Sequence, residues 1–223
     1  MDPLAPIPGE DPNFLDAIEQ VTRIAAIDRP CLIIGERGTG KELFATRLHS
    51  LSGRWEGPLV KLNCAAFAES LLESELFGHE QGAFTGATRR HLGCFERAHS
   101  GTLVLDEIAS ASPAVQERIL RVVEYGELQR VGGSETVDVD VRIVGVANQD
   151  LPAMAARGEF RADLLDRLAF DVVTLPPLRA RAADILTLAH GFAREMVRTL
   201  GRDVFARSEE HTSELQSPDH LVC

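Results

Sequence analysis

Cys31-Leu32-Ile33-Ile34-Gly35-Glu36-Arg37-Gly38-Thr39-Gly40-Lys41 is the stretch on which the fold turns. The four apolar residues after Pro30 read as a short buried strand, the glycines after them as a tight loop, and the residues beyond as a helix. Strand, glycine-rich loop and helix in that order are the setting a phosphate-binding loop requires. Gly35, Gly38 and Gly40 let backbone N–H groups turn inward around phosphates, and the helix N-terminus adds its dipole. Lys41 is placed to reach the outer phosphates. It is one of two lysines among 23 basic residues, so its position is not compositional noise. The bland alternative is a glycine turn before a helix. Glu42 stands where a Ser or Thr normally holds magnesium, which shifts metal binding toward an acidic motif elsewhere.

That motif is Asp106-Glu107, at the end of the strand-like run Thr102-Leu103-Val104-Leu105. Asp106 is placed to hold magnesium and Glu107 to polarise an attacking water. Three more runs read as strands: Leu59 to Leu62, Arg142 to Val146 and Asp171 to Leu175. Helical patterns lie between them, so the chain predicts an α/β fold with a mainly parallel sheet and ligands at the strand C-terminal ends. Asn148 follows the fourth strand. It either positions a water or the γ-phosphate or forms a turn before Gln149-Asp150. Arg161 and Arg167 flank a short helix, either as salt-bridged surface residues or as arginine fingers for a neighbouring subunit's ATP.

Phe14, Ile18, Val21 and Ala25 recur at helical spacing and predict a first helix over Asn13 to Ile27. A further helix is predicted over Pro113 to Tyr125, and Leu175-Pro176-Pro177-Leu178 reads as a hinge before a last helix to Leu200. Two stretches break the alternation. Gly78 to Gly93 is a long loop, and loops of that length are usually functional or disordered. Gly126 to Val137 is a second irregular stretch. In the first, Phe84 and Thr85 stand between glycines and make an apolar tip that suits docking to a partner. A loop folded back to bury Phe84 is the other reading.

The 223 residues carry 23 Lys+Arg against 34 Asp+Glu, a net charge of −11, and 44% are hydrophobic. Disorder as the main state is excluded by the apolar fraction, and binding of a polyanion over the whole surface by the acidity. No run approaches the roughly 20 apolar residues of a membrane span, and the first residues lack the blocks of a signal peptide. A cytoplasmic location is expected. Cys31, Cys64, Cys94 and Cys223 show no metal or redox spacing, and the first three read as apolar packing residues.

Gly82-Ala83-Phe84-Thr85-Gly86-Ala87 and the Gly35 to Glu42 loop together resemble the AAA+ central domain of bacterial enhancer-binding proteins, the activators of sigma-54 RNA polymerase. The resemblance covers Pro8 to Ala206. Gly82 to Ala87 matches that family's GAFTGA signature, and Glu42 is a family trait. The Glu36 to Lys41 loop, Trp55 after Ser52-Gly53-Arg54, and Tyr125 to Gly133 look most like the phage-shock branch of the family.

The resemblance implies an AAA+ P-loop NTPase core over residues 1–176 with a loop insertion near 78–93. The start of a helical lid would follow over 177–206. It implies ATP and Mg2+ as cofactors, a homo-oligomeric ring such as a hexamer, and sigma-54 holoenzyme contacted by Phe84 and Thr85. Gly126 to Val137 would be a supporting pore-side loop. Asn63 would hold Glu107 back, Asp106 and Glu107 would be the Walker B pair, Asn148 would lie in sensor I, and Arg161 and Arg167 would act in trans. Trp55 would bind phage shock protein A as inhibitor, unless it is a half-buried core residue. Enhancer DNA would be read only by a C-terminal helix-turn-helix, and neither it nor the lid's second-sensor arginine is found in these residues. Arg207 onward resembles a translated sequencing adapter and is expected to be non-native. The rival readings are a AAA+ remodeller with another client and a nucleotide-dependent binding module without turnover.

Overall fold

The structure is a computed structural model that describes residues 7–200. Cys223, the expected end of the lid and the expected non-native tail from Arg207 lie outside the described residues.

Five parallel strands make one sheet: β1 (Cys31–Ile34), β2 (Leu59–Asn63), β3 (Thr102–Asp106), β6 (Arg142–Ala147) and β7 (Asp171–Thr174), in the spatial order β2-β3-β6-β1-β7. Both faces of the three central strands, β1, β3 and β6, are covered, which is why these are near-continuous apolar runs, while the edge strands β2 and β7 are partly exposed. Cys31, Ile33, Val104, Val144 and Val146 pack with Phe14, Val21, Phe44 and Leu48 on one face. These partners come from helices α1 (Pro12–Ala25) and α2 (Lys41–Ser50), where Phe14 and Phe44 meet edge to face at 5.4 Å between centroids. Leu32, Leu103, Leu105 and Ile143 face a larger core. That core is built from α3 (Glu69–Phe77), the one-turn α4 (Cys94–Arg97), α5 (Pro113–Tyr125), α6 (Leu151–Ala156) and α7 (Ala162–Leu168). Cys31, Cys64 and Cys94 are buried within these cores.

Helix α1 starts where Asp11 accepts the N–H groups of Asn13 and Phe14, with Pro12 in the first turn. It ends two residues before the predicted Ile27, which is 42% exposed, so burial does not extend the helix to it. Helix α5 runs over its predicted span, capped by Ser112 and stopped by Gly126 at φ 70°. The stretch predicted to be irregular, Gly126 to Val137, is instead mostly an antiparallel hairpin of β4 (Glu127–Gln129) and β5 (Thr136–Asp138). Three residues per strand leave too little alternation to read, since Leu128 is the one fully inward side chain.

After the hinge prolines, α8 (Ala183–Leu200) leaves the sheet. Its root is fastened to the start of α1. Asp184, fully buried, accepts the backbone N–H groups of Glu10 at 2.6 Å and Asp11 at 3.2 Å. Arg181 lies 3.9 Å over the ring of Phe14. No helix among the described residues is long and apolar enough to cross a membrane.

Candidate functional site

The loop Gly35–Gly40 leaves β1 at the C-terminal edge of the sheet, where Gly35 N–H donates to the Ala147 carbonyl at the end of β6. Gly38 and Gly40 take φ of 80° and 94°, which only glycine adopts cheaply. Thr39, buried, closes the turn by donating its hydroxyl to the Glu36 carbonyl at 2.8 Å. The loop therefore delivers its N–H groups to the first turn of α2, an anion-binding arrangement. Lys41 Nζ donates to the carbonyls of Gly35 and Glu36 at 2.7 and 2.8 Å. Burial holds its ammonium below the usual lysine range, opposed by the charges of Asp106 and Glu107.

Strand register brings the next pair together. Asn63 ends β2 directly opposite Asp106 at the end of β3. Asn63 Oδ1 accepts Ala65 N–H at 2.8 Å, so its amide nitrogen points the other way and donates to Asp106 Oδ2 at 3.2 Å. Asp106 Oδ1 accepts the Glu107 N–H at 3.0 Å. The family resemblance sets Asn63 on Glu107; here the short amide reaches its register partner, and Glu107 goes elsewhere. Its backbone is left-handed, φ 49°, and its Oε1 lies 3.2 Å from Arg37 Nη2. Glu42 is engaged by Lys61, whose Nζ lies 2.8 Å from Oε1. Asp106 thus offers hard carboxylate oxygens, fixed by N–H donors and without an ion pair among the described residues. Asp106 would suit a magnesium ion, for which such carboxylate oxygens are the usual protein ligands.

Asn148 is half-buried one residue beyond Ala147, next to the start of the loop, and Asp150 supplies the cap of α6. The structure does not bring Arg161 and Arg167 into this cluster. Arg161 is fixed on Asp163 at 2.7 and 3.0 Å, and Arg167 on Glu124 of α5 at 2.9 Å. Glu36 reaches across to Arg179 beyond the hinge, with two contacts of 2.6 Å.

The Gly82 to Ala87 loop stands apart, on the α3–α4 side. Gly82 N–H donates to the Ala87 carbonyl and Ala87 N–H to the Phe84 carbonyl, so the segment is a closed turn. Phe84 is 45% exposed, with its ring 4.9 Å from that of His79, and Thr85 and Gly86 are exposed. Phe84 is neither wholly free nor folded into the core. Below the tip, His79 and His91 exchange backbone hydrogen bonds, and Glu80 and Gly78 bond to Val131 of the hairpin. Arg130 is the clamp: buried, it contacts Glu96 through two nitrogens and Glu80 at 3.0 Å. A Cβ on Gly132 would lie 2.6 Å from Ala83 Cβ. Sequence reasoning missed Arg130, Glu80 and Glu96; the available signal was an arginine two residues after Leu128, on the same inward face of the hairpin.

Trp55 is 62% exposed, which removes the half-buried alternative. The adjacent Arg54 side chain is pinned by Asp28 at 2.7 and 2.8 Å and by Asp140 at 2.6 Å.

A family model described as the sigma-54 interaction domain matches residues 7–174. The chain belongs to the sigma-54 interaction domain family. The Psp operon transcriptional activator of Escherichia coli (strain K12) is 61% identical over 206 residues, 92% of this chain and 63% of that protein. The Nif-specific regulatory protein of Rhodobacter capsulatus is 53% identical over 186 residues, 83% of this chain and 32% of that protein. Among solved structures, NtrX from Brucella abortus in complex with ATP superposes with a TM-score of 0.82 at 36% identity. That match covers 88% of this chain and 42% of NtrX. The fold is that of a AAA+ P-loop NTPase. The chain spans less than two thirds of the curated relatives named here.

Proposed function

We propose that this sigma-54 interaction domain is an ATP-hydrolysing ring subunit that uses Gly82 to Ala87 to remodel sigma-54 RNA polymerase from the closed to the open promoter complex. The observation that carries this reading is the loop itself. Phe84 and Thr85 stand exposed at the tip of a closed turn tied to the neighbouring hairpin, an arrangement that serves a partner better than the chain's own core. Family membership supports the client, and the likeness to NtrX with ATP supports the nucleotide.

In this mechanism the N–H groups of Gly35–Gly40 and the α2 N-terminus hold the phosphates, and Lys41 exchanges the carbonyls of Gly35 and Glu36 for phosphate oxygens. Asp106 would hold magnesium, which neutralises charge on the phosphates when bound. Glu107 polarises the attacking water and Asn148 helps orient it. Arg161 and Arg167 leave Asp163 and Glu124 to stabilise charge on a neighbouring subunit's nucleotide. Asn63 holds Asp106 and through it the start of Glu107. Trp55, exposed on a pinned turn, is the docking point for an inhibitor of the phage shock protein A kind. Residues up to 176 act as the motor core and those from 177 as the start of its lid.

Two variants separate the modules. Lys41→Ala is expected to lose nucleotide affinity by tenfold or more, on the order of 1.4 kcal/mol. Thr85→Ala is expected to keep ATP hydrolysis and lose open-complex formation, so full activation by Thr85→Ala would reject the loop's role. Because two arginines act in trans, the ATPase rate per subunit should fall on dilution through dissociation; a flat rate would reject the ring.

A further inference from the structure

Gln116 of α5 is a polar side chain with no exposed surface, set beside a core that includes Ile119, Phe160 and Leu164. A buried amide is costly unless its polar atoms are bonded, and an apolar side chain of the same size would pack there without that demand. Here both ends of the amide are taken up by backbone. Nε2 donates to the carbonyls of Ala111 at 2.8 Å and Glu159 at 3.4 Å, and Oε1 accepts the Arg161 N–H at 2.8 Å. These groups belong to two separate segments. Ala111 follows the short turn Ile108–Ser110 that begins after Glu107, whereas Glu159 and Arg161 form the entry to α7. Arg161 caps α7 without a side-chain bond to the helix backbone. Phe160 and Leu164 on either side of it are 2% and 0% exposed, so its backbone is carried by the core while its guanidinium lies at the surface on Asp163.

The ion pairs between α5 and α7 are of a different kind. Arg161 lies 3.8 Å from Glu117 and Arg167 2.9 Å from Glu124, both through partly exposed guanidinium groups that water and other anions can claim. Those pairs break when the arginines turn to a nucleotide. The Gln116 bonds involve no guanidinium and survive that turn.

On the reading of Arg161 as an arginine that acts on a neighbouring subunit's nucleotide, we propose that Gln116 is its positioning residue. The amide fixes the Arg161 backbone against the segment that follows Asp106-Glu107, and the guanidinium swings from that fixed point. An arginine finger stabilises the transferred phosphoryl group only from within hydrogen-bond reach, and a misplacement of about 1 Å is enough to cost on the order of a hundredfold in rate. Gln116 thus serves the site of the next subunit.

The test is complementation of ATP hydrolysis between variants of the full 223-residue chain. Gln116→Met, similar in size and unable to hold the Arg161 N–H, is measured alone and mixed in equal amount with Lys41→Ala, whose own site is disabled and whose Arg161 is intact. Alone, Gln116→Met should lose roughly tenfold or more in kcat, while its affinity for a fluorescent ATP analogue stays within about twofold of wild type. In the mixture roughly a quarter of the head-to-tail interfaces join a working site to a working arginine, and hydrolysis should return in that proportion. Arg161→Ala mixed with Lys41→Ala is the reference and should be rescued alike. Gln116→Glu keeps an acceptor for the Arg161 N–H and should lose less than Gln116→Met. A side chain that merely fills space would show the reverse order, because Met brings no charge into the core. If Gln116→Met does not bind the analogue, the mixture is made with Gln116→Leu, on the same outcomes. An unaltered kcat, or a mixture no more active than its parts while the Arg161→Ala reference is rescued, overturns the proposal and leaves the ring standing. If the reference itself gains nothing, the action of Arg161 in trans falls and this proposal falls with it.

Discussion

The nucleotide edge of the sheet and the Gly82 to Ala87 loop are held in place by different physics. At the sheet edge, Gly35, Asn63, Asp106 and Asn148 sit where four parallel strands end. The register of those strands is fixed by side chains such as Leu32, Ile33, Leu103 and Val144 that are wholly out of water. At the loop, position depends on a few backbone hydrogen bonds, one glycine contact and the buried guanidinium of Arg130 between Glu96 and Glu80. An apolar register has no cheap alternative state, because a slip exposes a whole face. A polar clamp can exchange partners, so the part of the molecule suited to moving is the part held by ions and hydrogen bonds.

The largest effect that would break this comparison is expected at Arg130. Arg130→Ala strips the buried partner from Glu96 and Glu80, at about 3 kcal/mol. Proteolysis should then cut between Gly82 and Ala87 while nucleotide binding persists; a loop that stays protected would mean the clamp is dispensable. Gly132→Ala is next. Its Cβ collides with Ala83 and its φ of 74° penalises any side chain, together about 1–3 kcal/mol. Hydrogen exchange should rise at residues 79–91 and not at the phosphate loop. The Trp55 turn marks the low end of the scale. The Arg54 guanidinium bonded to Asp28 holds that carboxyl below the usual carboxylate range. Its contribution is therefore present above the unfolded pKa and lost as pH falls through the folded one. Asp28→Asn should flatten the acid limb of a denaturation series by less than about 1 kcal/mol, because the Asp28 carboxylate is more than half exposed and Arg54 keeps Asp140 as a second partner. A larger loss would place this turn with the clamped loop.

The same contrast explains what was legible in the sequence. The central strands and the phosphate loop were readable because buried parallel strands are near-continuous apolar runs and because a glycine loop between strand and helix has a fixed spacing, while the edge strands β2 and β7 showed as shorter apolar stretches interrupted or flanked by polar residues. Asp106-Glu107 followed from its place at a strand end. Asn63 was named, but its partner depended on register, which shows only when β2 and β3 are laid side by side. The hairpin of Glu127 to Asp138 was hidden by its brevity. Arg130 was hidden because a buried arginine leaves no pattern until Glu96 and Glu80, 34 and 50 residues away, fold back to it. Phe84 was read correctly as a surface residue, while its seat on His79 is a tertiary contact that spacing does not encode.

Asp184 joins the first described element to the last. Its carboxylate caps the backbone of Glu10 and Asp11, and Arg181 beside it lies over Phe14. The start of α1 and the root of α8 are therefore stapled at one point, beside the hinge that follows β7. A swing of α8 must drag the start of α1 along or tear out this staple, so a pull on α8 would be felt at α1 without any signal crossing the sheet.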